Sequence, residues 1–136
     1  MNGQTFTSHS VYTIAHCDRL ESAIRRNRPV RLTEGKRWVT AVTLFEQAQL
    51  FHQEMPILFG DAADCTCLVY WGILKDINLN PIESGTTFVA GRIRRFAKHH
   101  APQELILRSS RRAIAPNFIR PYAICFTPHF LDGSFA

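Results

Sequence analysis

The segment from Pro56 to Leu79, PILFGDAADCTCLVYWGILKDINL, constrains this chain most strongly. Ahead of it, apolar residues recur at helical spacing. From it onward they run continuously or alternate, as strands do. Proline at position 56 marks the change, because the residue before a proline avoids the helical region. The segment reads as a strand over Ile57–Phe59, a polar loop holding Asp61 and Asp64, and a longer strand over Cys67–Ile77. That longer strand carries Tyr70 beside Trp71 and then Gly72.

Upstream, Asp18 and Glu21 form a D-x-x-E start, and Leu20 and Ile24 follow at helical spacing. This predicts a first helix ending near Asn27, ahead of Pro29. Arg25, Arg26 and Arg28 fall in its last turn, where cations complement the helix dipole. Arg31–Arg37 reads as a basic loop, and Trp38–Val42 as a short strand or extended entry. Thr43-x-x-Glu46 has the form of a capping box and predicts a second helix over about Leu44–Glu54. Leu44, Ala48, Leu50 and Phe51 supply its apolar face.

Downstream, strands are expected at Thr86–Val89, Leu105–Arg108, Ile114–Ile119 and Tyr122–Phe126. Prolines 116, 121 and 128 exclude a long helix from the final third. Helices followed by strands mean an α+β protein rather than alternating βαβ units. Short strands with proline-rich turns favour a small, partly closed β-barrel with two N-terminal flanking helices. A chain of 136 residues suits a single domain spanning 1–136, with a core large enough to need no staples.

Apolar residues make up 46% and charged residues 20%, with no apolar run long enough to span a bilayer. The N-terminal residues show no basic region leading into an apolar stretch, so a soluble cytoplasmic protein is the expectation. Cys17, Cys65, Cys67 and Cys125 fall in no disulfide-framework spacing. Cys65 and Cys67, with His16 and Cys17, approach a metal-ligand set, but zinc sites pair their ligands at wider spacing. Reduced thiols, no metal and no cofactor are expected.

The net charge is +5, and arginine outnumbers lysine thirteen to three. Guanidinium forks suit phosphate and carboxylate recognition, although a GC-rich genome produces the same bias. The densest positive region is GRIRRFAKHH, with Arg92, Arg94 and Arg95, joined by Arg108, Arg111 and Arg112 of RSSRR. Such residues drive salt-dependent, largely sequence-blind nucleic-acid binding, or form a solvated face. In Arg108-Ser109-Ser110-Arg111, hydroxyls beside arginines suit phosphate oxygens.

The run from ILFGDAAD through LVYWGILKDI to GTTFVAGRI resembles the barrel core of PUA-like domains, the superfamily that includes the ASCH and EVE branches. The resemblance covers residues 56–93. It implies a pseudo-barrel of five or six strands with flanking helices and a cleft for RNA, a nucleotide or a modified base. The ASCH entry motif, Gly-x-Lys-Thr-hydrophobic-Glu-x-Arg, is absent. The nearest string is Glu34-Gly35-Lys36-Arg37, so no catalytic residue is carried over.

Trp38, Phe59, Tyr70 and Trp71 are candidates to stack on a base, and core packing accounts for each of them as well. Tyr70 and Trp71 are strand neighbours and point to opposite faces, so only one can face a cleft. Arg120, fixed before Pro121 and Tyr122, is placed to meet a charged or planar ligand, or to pair with Asp61, Asp64 or Asp76. Asp61, Tyr122 and Arg120 therefore join the ligand-binding candidates. The leading expectation is a nucleic-acid or nucleotide-binding cleft, with phosphate held by arginines and a base on an aromatic ring.

A second reading is a small hydrolase for a nucleoside-like substrate, using Asp61, Asp64 or Cys65 with His99 or His100. No G-x-S-x-G, H-E-x-x-H, Walker or G-x-G-x-x-G motif is present. A third is a protein-interaction module whose homodimer covers an open edge strand.

Overall fold

A computed structural model describes residues 6–15, 17–64, 67–80, 85–115 and 122–131. The elements are β1 (His9–Ala15), α1 (Cys17–Arg26), β2 (Val30–Glu34), α2 (Val39–Leu50), β3 (Pro56–Asp61), β4 (Leu68–Leu79), β5 (Thr86–His100), a 3-10 turn (Pro102–Glu104) and β6 (Tyr122–Phe126). The strands form one mixed sheet in the order β2-β5-β4-β3-β1-β6. Only β1 and β3 run parallel; the other neighbours are antiparallel. The α+β class holds, but strands also stand before and between the helices.

One strand replaces an expected loop, and another stands where no element was expected. In β2, Val30-Arg31-Leu32-Thr33 alternates apolar and polar, and burial alternates through to Glu34. Pairing with β5 makes a strand of what charge alone suggests is a loop. β1 has β-branched Val11, Thr13 and Ile14 in seven residues, a strand composition.

α1 ends as expected. Asn27 takes a left-handed φ of 52°, and Arg28 N–H donates to Ala23 O at 3.1 Å, ending the helix before Pro29. α2 starts earlier than its capping-box signature suggests. Thr43 lies inside the helix, and its hydroxyl donates back to Val39 O at 3.3 Å instead of capping a start. Trp38–Val42 is therefore a helix entry, not a strand.

β3 and β4 lose their alternation because both faces of the sheet are covered. On one face Leu20, Ala23, Ala41 and Phe45 of the helices pack on Ile57, Phe59, Tyr70 and Leu74. On the other, Leu105, Ile114 and Leu131 pack on Tyr12, Leu58 and Trp71. Full burial of the leucine, isoleucine and phenylalanine side chains among them stabilises the fold by about 1.5–3 kcal/mol each. Gly72 lies at a tight crossing: a Cβ there would sit 2.7 Å from Gly91 O on β5. Just beyond, the register of β4 against β5 shifts, and Arg92 takes a φ of 53°.

The sheet is open but strongly curled. Its end strands β2 and β6 are not neighbours, so no closed barrel forms. Yet the Trp38 ring stacks at 4.6 Å on Phe88 of β5 and at 4.6 Å on Tyr122 of β6. In a flat sheet those strands would stand roughly 19 Å apart.

Leu105–Arg108 makes isolated bridges in place of the expected strand. Arg108 N–H donates to Ile124 O and Phe126 N–H to Ile106 O, both at 2.9 Å, so this segment covers the outer edge of β6. A homodimer built by strand addition would find that edge occupied. In the expected strand Ile114–Ile119, positions 116–119 lie outside the described residues.

Candidate ligand-binding cleft

Where the curl brings β2 towards the end of β1, a cleft of about 290 Å³ opens. Thr13, Ile14 and Ala15 line one side, and Leu32, Thr33 and Glu34 the other. Side chains alternate along a strand, so three consecutive residues line one cleft only when the strand presents its edge. The pairing agrees. Among the described residues β2 pairs only with β5, and β1 pairs with β6 no further than Thr13. The cleft is thus a seam between two strand edges.

Arg19 of α1 and Phe88 of β5 complete the lining. Burial pushes the Glu34 carboxyl above its usual range, and among the described residues no ion pair reaches it. Behind Phe88 stand Trp38 and then Tyr122, a three-ring stack. Thr86 fixes this stack: its Oγ1 accepts from Trp38 N–H at 2.9 Å and donates to Lys36 O at 2.7 Å. Trp38 Nε1 is buried without a hydrogen-bond partner among the described residues.

The aromatic candidates are core residues. Trp38, Phe59 and Trp71 are fully buried and Tyr70 is 3% exposed, so none of the four presents an open ring face. Tyr70 and Trp71 do point to opposite faces, and both faces are covered. The Tyr70 hydroxyl donates to Glu21, which also pairs with Arg95. Those bonds, from Arg95 first and Tyr70 second, hold the Glu21 carboxyl down at about 2. Burial, then Glu21, raises the Tyr70 phenol well above its ordinary value. Asp61 accepts from Ala63 N–H at 2.8 Å and so shapes its own turn.

The arginines divide into two groups. Arg92 pairs with Glu54 at 3.0 Å, Arg95 with Glu21, and the Arg94 guanidinium lies 5.4 Å from the Trp71 ring centre. Arg108, Arg111 and Arg112 are exposed and, among the described residues, have no ion-pair partner. Arg108, Ser109 and half-buried Tyr122 line a second cleft, of about 320 Å³. Arg120 and Cys65 lie outside the described residues.

For the hydrolase reading, the Cys67 thiol donates to Asp64 Oδ2 at 3.5 Å and lies 3.9 Å from His99 Nδ1. None of these three residues lines the seam cleft. Burial, then Asp61, raises the Cys17 thiol, the opposite of what an activated nucleophile needs.

The seam residues Thr13–Ala15, Arg19, Leu32–Glu34 and Phe88 are absent from the sequence-derived candidates. The alternation of Val30–Glu34 was the available signal for three of these eight.

No protein family matches the sequence, and no curated protein matches it. Among solved structures, the chain is similar to the YTH domain of the Zygosaccharomyces rouxii MRB1 protein, determined in complex with N6-methyladenosine RNA. The identity is 8%, the TM-score 0.49, and the match covers 98% of this chain and 88% of that one. At that score the likeness assigns neither a ligand nor a residue here.

Proposed function

We propose that this protein binds a nucleobase-bearing ligand, either a nucleotide or a base within a nucleic acid, with the base in the seam cleft. One observation carries the reading: two strand edges, three residues each, face one another across a cleft sized for a single ring system. A base is planar and carries donors and acceptors around its rim, which suits a narrow cleft walled by two strands with Thr33 and Glu34 among its polar groups. Phe88, buried and stacked on Trp38, backs the cleft from the core, and the Glu34 carboxylate accepts from an exocyclic amine.

Arg111 and Arg112, which have no ion-pair partner among the described residues, supply cations for phosphate. The resemblance of residues 56–93 to PUA-like domains supports the same ligand class, and the curled sheet with two flanking helices fits a partly closed barrel of that kind. A cleft of about 290 Å³ is at the lower end for ligand pockets, which excludes a large cofactor.

Thermal stabilisation by nucleosides tests the reading. Adenosine and cytidine, which carry exocyclic amines, should raise the melting temperature more than uridine does. Glu34→Ala should abolish that preference. No response to any nucleoside or nucleotide would overturn the proposal.

A further inference from the structure

A second site begins on the other side of the Phe88–Trp38–Tyr122 stack. Thr40, Leu44, Gln47 and Phe51 recur at helical intervals and share one face of α2 and its C-terminal cap. That face lines two clefts of about 320 and 310 Å³, and Arg108 lines both. The opposite wall is formed by β6 at Tyr122–Ile124 and by Ser8 and His9 at the start of β1.

The chemistry of this groove is one-sided. Among the described residues no carboxylate lines either cleft; the polar groups are hydroxyls, amides, an imidazole and a guanidinium. Burial, then the Arg108 charge, lowers His9, so the ring is neutral near pH 7. Arg111 and Arg112 follow in the adjoining turn. Phe51 is 71% exposed at the groove wall, an aromatic face without packing to explain it.

We infer that this groove binds single-stranded nucleic acid. Arg108 holds a phosphate at the junction of the two clefts, the Thr40 and Ser109 hydroxyls donate to neighbouring oxygens, and a base stacks on Phe51. A cation flanked by rings and amides matches a single strand, whose bases are free to stack. A duplex, with its bases enclosed, would leave Phe51 without a partner. The inference takes its ligand class from the proposed function but stands on none of the seam residues, so the two can fail separately.

The test is fluorescence anisotropy of labelled oligouridylate and oligodeoxythymidylate over a salt series, with a duplex and poly-glutamate as competitors. Arg108→Glu should weaken binding roughly tenfold or more and reduce the salt slope by about 1. Phe51→Ala, at an exposed position, should weaken it roughly five-fold or more. Both variants should keep the wild-type melting temperature and any stabilisation by nucleosides at the seam. Wild-type binding in either variant would overturn the inference, as would equal competition by duplex or poly-glutamate. Preference between the two oligonucleotides then assigns RNA or DNA.

Discussion

Thr86 holds Trp38 in place with a single hydroxyl, which accepts from the Trp38 N–H at 2.9 Å and donates to Lys36 O at 2.7 Å. The contact ties the α2 entry to the start of β5, and so places the ring between Phe88 and Tyr122. Thr86 itself is fully buried.

Thr86→Val keeps the shape but leaves a buried donor without its acceptor. It should destabilise the protein by about 1–3 kcal/mol in urea unfolding, while Thr86→Ser should recover most of the loss. An unchanged midpoint in the valine variant would show that the hydroxyl holds nothing.

Gly72→Ala places a methyl group 2.7 Å from Gly91 O and 2.7 Å from the Ile93 Cδ1 atom. The backbone contact cannot rotate away, so overpacking should cost about 1–3 kcal/mol. Gly35→Ala meets nothing within 4 Å and is the control. Equal melting temperatures for the two variants would contradict the close strand approach.

Glu21 sets a limit on acid stability. Its folded pKa of about 2 lies below the ordinary 4.5, so its contribution is present above the unfolded value and lost as pH falls from 4.5 towards 2. The Glu21→Gln variant should therefore lose less stability than wild type across that interval. Parallel pH profiles would refute the Tyr70–Glu21–Arg95 linkage.

Glu34 runs the other way. Burial raises its pKa, so the ionised form is disfavoured in the folded protein and stability falls as pH rises through that raised value. A ligand that donates to the carboxylate needs the ionised form, so its affinity should drop as pH falls through the same range. Calorimetric titration of cytidine against pH measures this, and Glu34→Gln should flatten the profile. A pH-independent affinity in wild type would remove Glu34 from the site.

Local signals were enough for several elements. The Pro56–Leu79 segment gave the central strand pair, Asn27 ahead of Pro29 gave the end of α1, and Tyr122–Phe126 gave β6. The start of α2 is not legible locally, because Thr43-x-x-Glu46 matches a cap equally well inside a helix. β2 hides behind its charge: Arg31 and the basic residues after it suggest a loop, although Val30–Thr33 alternates as an edge strand does.

The sequence by itself determined where the chain turns apolar on both faces and where prolines and a left-handed asparagine stop its helices. These depend on backbone sterics within a few residues. Tertiary structure alone decided that Trp38, Phe59, Tyr70 and Trp71 would be core, and which arginines would meet an acid. It also decided that residues 13–15 and 32–34 would face each other across a seam. Those outcomes depend on strand register and sheet curl, which bring together groups far apart in the chain.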